Sequence, residues 1–273
     1  MLDQWTFTSD LPARRRFFDP SVFSHPAKLH LGLLQRLIDL YTAPGDTLLD
    51  PMAGSGSLLL AATQQRNVIL RDLQSEYVEL MQRSATVARQ EAGLWAGLID
   101  IDRADARTLE CPPFDCIITS PPYGIETNNG RSNEARAKKG ALLGRRWKRF
   151  IENPTHASFA AGFRYAGGQA NAGNKSGRNY LNDMRAIYER CIMFLPPEGK
   201  LILILKNHYR RGKLIDVVGQ TIELVQGLGM SIVSRHSRYI DNPSLWQRRR
   251  REQGLPIVEN EDALVFQRAN RNG

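Results

Sequence analysis

Apolar residues in this chain recur in two spacings. Leu31 to Tyr41 places Leu31, Leu34, Leu37 and Ile38 at helical intervals, which predicts an amphipathic helix. Short apolar runs bounded by polar residues predict buried strands: Thr47 to Asp50, Val68 to Leu70, Leu98 to Ile101 and Phe114 to Ile118. Leu58 to Ala62 reads as the start of a helix after the first of these strands. A further helix is expected near Gln74. After a long stretch without periodicity the alternation returns. Tyr180 to Phe194 predicts an amphipathic helix, Pro196-Pro197-Glu198-Gly199 a turn and Lys200 to Leu205 a strand. Leu214 to Leu228 then reads as a helix, with strands at Ser231 to Ser234 and Ala263 to Gln267. Strands alternating with helices imply an α/β fold around a mostly parallel sheet.

Two loops at predicted strand ends carry candidate chemistry. Thr119-Ser120-Pro121-Pro122-Tyr123-Gly124 follows the strand ending at Ile118. Ligands of open parallel sheets bind at the C-terminal ends of strands. The two prolines fix their own φ and restrict the residue before each, so carbonyl groups here are held in set directions. The loop can present acceptors to an amino group; read alone, it also suits an ordinary proline turn. The second loop, Asp50-Pro51-Met52-Ala53-Gly54-Ser55-Gly56-Ser57, joins a strand to a helix start. Gly54 and Gly56 allow close approach to the backbone and positive φ, and the helix start is expected to offer unpaired N–H groups. Asp72 follows the next strand about twenty residues on, where an acidic side chain can accept ribose hydroxyls. Asp105 follows a third strand.

The glycine spacing is not G-x-G-x-x-G, because Leu59 stands where the third glycine would be, and no G-K-[ST] ending is present. This points away from dinucleotides and nucleoside triphosphates and towards a nucleoside-type ligand without a pyrophosphate.

Taken together, Asp50-Pro51-Met52-Ala53-Gly54-Ser55-Gly56 and Ser120-Pro121-Pro122-Tyr123 resemble the S-adenosylmethionine-dependent DNA amino-methyltransferases, which methylate an exocyclic amine of cytosine (N4) or adenine (N6). Ser24-His25-Pro26-Ala27-Lys28-Leu29 resembles the segment preceding the cofactor loop in that family. The likeness is carried by motifs from about His25 to Gly124 and only by topology from about Tyr180 to Arg268. It implies a Rossmann-like, seven-stranded methyltransferase sheet, mostly parallel with an antiparallel last strand and helices on both faces. It also implies S-adenosylmethionine as cofactor, with Asp50, Met52, Ala53, Gly54 and Gly56 around its methionine part. Asp72 would take the ribose hydroxyls, Asp105 would face the adenine ring, and His25 would touch the cofactor. Asp72 equally suits capping of the helix near Gln74, Asp105 a turn through Ala106 and Arg107, and His25 a local cap. Met52 and Ser57 stand where the family often has Phe and Thr.

The chemistry explains the residue types in the proline loop. The lone pair of an exocyclic amine is delocalised into its ring, so the amine is a poor nucleophile. The Ser120 hydroxyl oxygen and the Pro121 carbonyl can accept its two hydrogens and aim the lone pair at a methyl donor, while Tyr123 stacks on the base and Pro122 keeps the loop rigid. Ser120 is neutral and is not a strong base near neutral pH, so the proton is expected to leave to water. No cysteine lies in a Pro-Cys setting that would suit attack on a ring carbon.

Charge agrees with a polyanionic partner. The chain of 273 residues has 37 Lys and Arg against 28 Asp and Glu, a formal net charge of +9. Between Arg131 and Phe150 lie Lys138, Lys139, Arg145, Arg146, Lys148 and Arg149, with further basic residues and a single Glu134. These, with Arg248 and Arg249, are candidate phosphate contacts; a solvated surface run is the bland alternative. Residues 125–179 are rich in Gly, Asn and Arg and read as an insert that contacts nucleic acid, within a single methyltransferase domain over 1–273. Trp147, Phe159, Phe163 and Tyr165 are available there for stacking.

Three cysteines without paired spacing imply no metal site and no disulfide framework. No run of transmembrane or signal-peptide character is evident, so a cytoplasmic protein without membrane association is expected. The expected partner is double-stranded DNA with a flipped target base, with RNA as an alternative and a restriction nuclease as a possible companion. Serine at the head of the proline loop resembles cytosine-N4 enzymes. The motif order, cofactor loop before catalytic loop, resembles an arrangement seen mostly with adenine-N6 enzymes. The loop is given the greater weight. The second reading is an RNA (tRNA) guanine-N2 methyltransferase, whose catalytic loop resembles P-P-Y-G but generally begins with Asp. A third, from another class, is a non-catalytic nucleic-acid-binding module.

Overall fold

The structure, a computed structural model, describes residues 3–24, 28–123, 170–210, 212–241 and 245–268. His25 and the basic run Lys138 to Arg149 lie outside these residues, as do the insert's aromatic side chains. Among the described residues, in chain order, come β1 (Asp3–Trp5), α1 (Leu11–Phe17), α2 (Leu31–Tyr41), β2 (Thr47–Asp50), α3 (Leu59–Ala62), β3 (Asn67–Asp72), α4 (Ser75–Ala92), β4 (Ile99–Arg103) and β5 (Cys116–Thr119). Further along the chain come α5 (Gly177–Phe194), β6 (Lys200–Leu205), β7 (His208–Arg210), β8 (Lys213–Ile215), α6 (Val217–Gln226), β9 (Met230–Tyr239), α7 (Leu245–Glu252) and β10 (Asn260–Arg268).

The main sheet runs β1-β9-β10-β6-β5-β2-β3-β4. Every described pairing in it is parallel except those of β10, which is antiparallel to both β6 and β9. Eight strands stand where seven were expected. The addition is β1, which pairs Asp3 with His236 and Trp5 with Arg238 on β9. Its three residues carry no detectable period, so only the partner strand makes it a strand. The same pairing explains why β9 extends to Tyr239 rather than stopping at Ser234. Its outer half is polar, and it is held by β10 on one side and β1 on the other.

Alternation along the central strands sorts the core into two layers. Leu48, Ile118, Ile202 and Ile204 face one layer with α2, α3 and α4, while Leu49, Ile117, Leu201, Leu203 and Leu205 face the other with α5 and α6. Strands buried on both faces read as continuous apolar runs because each neighbouring side chain meets a different helix layer. The helix expected from Leu214 begins instead at Val217. Asp216 caps it, its carboxylate accepting the Gly219 N–H at 2.9 Å, and Lys213 to Ile215 pair with β7 as a small hairpin.

Candidate active site

β2 and β5 are hydrogen-bonded neighbours, Leu48 opposite Cys116 and Leu49 opposite Ile117. Their C-terminal ends therefore deliver Asp50 and Ser120 to the same rim of the sheet. Both loops line one cavity of about 540 Å³. Its walls include Asp50, Met52, Ala53, Gly54, Asp72 and Asp105 on one side of the proline loop, and Lys206, Arg238 and Glu261 on the other. Ser120, Pro121, Pro122 and Tyr123 stand between.

The loop after β2 is built by its own hydrogen bonds. The Met52 N–H donates to Asp50 Oδ1 at 3.1 Å, the Ala53 N–H to the Arg71 carbonyl at 2.9 Å and the Gly54 N–H to Asp72 Oδ2 at 2.8 Å. Gly54 has φ 52° and Gly56 φ 72°, conformations that favour glycine. Gly56 is absent from the cavity wall, contrary to expectation. It backs onto α4, where an added Cβ would lie 2.8 Å from Met81 Cγ, so this glycine serves the turn and its packing. Some of the amides after the loop are engaged. Leu59, Leu60 and Ala61 N–H groups donate to the Gly56, Ser57 and Leu58 carbonyls as a run of tight turns ahead of the four-residue α3.

Asp72 has two functions in reach. Its Oδ1 accepts the Gln74 N–H at 2.9 Å, just ahead of α4, and Oδ2 ties down Gly54, yet it also lines the cavity. The carboxylate keeps spare acceptor capacity. Burial raises its pKa above the usual carboxylate value, with the Gln74, Gly54 and Leu73 amides pulling the other way. Asp105 lines the cavity as well, but Arg107 grips both its oxygens, the closest contact being 2.5 Å, and Asp105 Oδ1 accepts the Arg107 N–H. That ion pair and hydrogen bond hold its carboxyl below the ordinary range. The turn through Ala106 and Arg107 and the cavity-facing position are thus both realised.

Asp50 is 6% exposed, and burial pushes its carboxyl up to about 7. The Thr119 hydroxyl and the Met52 amide pull it down, and the nearby Asp72 charge pushes it further up. Thr119, 1% exposed, lies beside Asp50, but its hydroxyl has no hydrogen-bond partner of normal geometry among the described residues. In the proline loop Pro121 is buried and Ser120 partly exposed to the cavity. The Tyr180 hydroxyl donates to the Pro122 carbonyl at 2.8 Å, anchoring the loop to α5. Tyr123 packs against the α5 core layer at the cavity edge.

Several lining residues were not anticipated. Lys206 sits one residue beyond a strand end, where the strand-end rule would have found it. Arg107 follows two residues after Asp105. Asn171, within the Gly/Asn-rich stretch, lines the cavity beside a short turn capped by its own side chain, which accepts the Gly173 N–H. Arg248 and Arg249 lie exposed on α7, whose Gln247 reaches the cavity wall. Among the described residues no cluster of three or more His, Cys, Asp or Glu side chains is arranged to hold a metal, and no helix is long and apolar enough to cross a membrane.

The sheet order, the antiparallel β10 and the crevice over β2 and β5 define a Rossmann-like methyltransferase fold. TrmN from Thermus thermophilus superposes with a TM-score of 0.51 at 19% identity, over 93% of this chain and 53% of that one. At the level of sequence, residues 3–83 match a family described as DNA methylase, so the chain is similar to the DNA amino-methyltransferases. Its curated relatives include the type II methyltransferase M.BglI of Bacillus subtilis, 43% identical over 61 residues, covering 22% of this chain and 18% of that protein. They also include the tRNA (guanine(10)-N2)-dimethyltransferase of Methanocaldococcus jannaschii, 28% identical over 151 residues, covering 52% of this chain and 38% of that protein. The matched stretches thus span well under half of either relative.

Proposed function

We propose that this protein is an S-adenosylmethionine-dependent methyltransferase acting on the exocyclic amine of a base in DNA, cytosine N4 in preference to adenine N6. One observation carries the reading: the Asp50–Gly54 loop and the Ser120–Tyr123 loop, on adjacent parallel strands, wall a single cavity of about 540 Å³. The residues present suit the cofactor. Asp50, a buried carboxylate without an ion pair among the described residues, suits the ammonium of the methionine part, alongside Met52, Ala53 and Gly54. Asp72 offers spare acceptor capacity to ribose hydroxyls, and Asp105, which lines the same cavity with Arg107, is assigned to the adenine ring; His25 is assigned to the same ligand from its motif alone. When bound, the cofactor supplies an electrophilic methyl group on a sulfonium.

The chain's own residues prepare the other reactant. Ser120 Oγ and the Pro121 carbonyl accept the two amine hydrogens and localise the lone pair on nitrogen. Tyr123 holds the ring by stacking, and Tyr180 keeps the loop in place through the Pro122 carbonyl. A base in a duplex must leave the stack to reach this cavity. Arg248 and Arg249, with the basic run from Lys138 to Arg149, would hold the flanking phosphates.

Nucleoside mass spectrometry of DNA and RNA incubated with the protein and labelled S-adenosylmethionine tests the reading. Methylcytosine or methyladenine in DNA is the expected product. No binding heat at millimolar cofactor and no labelled nucleoside would remove the enzyme reading and leave the non-catalytic nucleic-acid-binding module. A second reading, methylation of a guanine amine in RNA, is favoured by the 151-residue similarity to the archaeal tRNA enzyme; labelled methylguanine in RNA alone would select it.

A further inference from the structure

The cavity does not end at the proline loop. It continues over the ends of β6, β9 and β10, where Lys206, Arg238, Ile240, Gln247 and Glu261 line it. Lys206 is the first residue past β6, the strand paired with β5 such that Thr119 lies opposite Leu203. It therefore leaves the sheet beside Ser120, on the side away from Asp72 and Asp105. If the cofactor lies over β2, β3 and β4, this is the half of the cavity left to the target base.

The charge here is arranged unusually. Glu261 on β10 stands opposite Arg238 on β9, and the two form an ion pair at 3.0 Å, each side chain little exposed. Lys206 feels both charges, yet among the described residues its ammonium makes no hydrogen bond and no ion pair within 4.0 Å. Burial pulls that ammonium below the ordinary lysine range; Glu261 opposes the effect and Arg238 adds to it. Partly burying a cation while the carboxylate that attracts it serves another partner is costly unless something else accepts its hydrogens. The group has three donors and no acceptor capacity.

Resting on the amino-methyltransferase reading above, we propose that Lys206 donates to a carbonyl oxygen of the target base and thereby sets base specificity, selecting cytosine over adenine. Once Ser120 and Pro121 hold the amine, the rest of the base edge is fixed in orientation. In cytosine that edge runs from the amine through an acceptor ring nitrogen to the O2 carbonyl. In adenine the corresponding position is a C–H, which leaves the ammonium desolvated and unpaired. Guanine also carries a carbonyl across the edge from its amine, so Lys206 tolerates the alternative base of the RNA reading while rejecting adenine. Leaving a buried donor without its acceptor discriminates by about 10- to 100-fold.

The test compares wild type, Lys206→Met and Lys206→Arg on unmethylated genomic DNA and transcribed tRNA, with labelled S-adenosylmethionine, nucleoside mass spectrometry and calorimetric cofactor titration. The expected result is a wild type that makes methylcytosine or methylguanine in excess of methyladenine. Lys206→Met should lose about 10- to 100-fold in that product at subsaturating nucleic acid while binding cofactor as wild type does, and Lys206→Arg, which keeps a donor, should recover most of the loss. Three outcomes would overturn the inference while leaving the enzyme reading intact: methyladenine as the main wild-type product, an unchanged product profile in Lys206→Met, or equal losses of cofactor affinity and transfer. Absence of both cofactor binding and any methylated nucleoside defeats the underlying reading, and this inference with it.

Discussion

Replacing Asp50 by Asn should make the cofactor-free protein more stable in alkaline solution while weakening cofactor binding. Asp50 is buried at the end of β2, and its carboxyl is pushed from 3.8 up to about 7, chiefly by desolvation. The sign follows from proton linkage. Because the folded value lies above the unfolded one, the folded state retains a proton that the unfolded chain has already released. The associated stability is full below about pH 4 and is lost as pH rises through about 7. A displacement of roughly three units at about 1.4 kcal/mol each gives an upper bound of about 4 kcal/mol for the cost of ionising Asp50 in the fold. Asparagine keeps an Oδ1 for the Met52 amide and never ionises. Urea unfolding of Asp50→Asn and wild type at about pH 4 and about pH 8.5 should therefore show near-equal stability at the lower pH and an advantage of roughly 2–4 kcal/mol for the variant at the higher. Calorimetry at the higher pH should show S-adenosylmethionine affinity reduced at least about tenfold, since a charged partner for the ammonium is gone. A variant less stable than wild type at both pH values, or a difference that does not change between them, would refute the reasoning.

Other consequences are simpler to read. Tyr123→Ala should lower methyl transfer far more than cofactor affinity, and equal loss of both would contradict its place against the base. Tyr180→Phe removes the hydrogen bond to the Pro122 carbonyl and should cost about 1 kcal/mol in urea unfolding. Its turnover should drop with cofactor affinity unchanged, and wild-type turnover would argue that the loop holds itself. Arg248→Ala combined with Arg249→Ala should weaken DNA binding at all sequences alike and flatten the salt dependence by nearly one unit of log–log slope for each phosphate no longer neutralised; an unaltered slope would place these arginines away from the backbone.

The elements legible in advance were those whose signal is local. The α2 boundaries, Leu31 to Tyr41, and those of β6, Lys200 to Leu205, agree with their apolar spacing. A helical stripe and a doubly buried strand each mark their own residues. Elements that exist only through a partner were not legible. β1 is held by β9, and the β7–β8 hairpin interrupts what reads as one apolar helix because Asp216 caps the helix three residues late.

The candidate site divides along the same line. The motifs placed Asp50 and Ser120 at strand ends, because strand-to-loop transitions and glycine or proline chemistry are written in contiguous residues. Which strand ends meet is a different matter. Sheet order sets β5 against β2 on one side and β6 on the other, and β10 returns antiparallel beside β6. Only that order brings Lys206, Arg238 and Glu261, far apart along the chain, to the cavity that holds the proline loop. It also turns Gly56 away towards Met81, although its spacing from Gly54 looks like that of a ligand contact. The sequence alone therefore determined the α/β class, the two loops and their chemical character. The tertiary structure decided which charges share a cavity and which are buried without a matching partner, because strand register and desolvation are properties of neighbours distant in the chain.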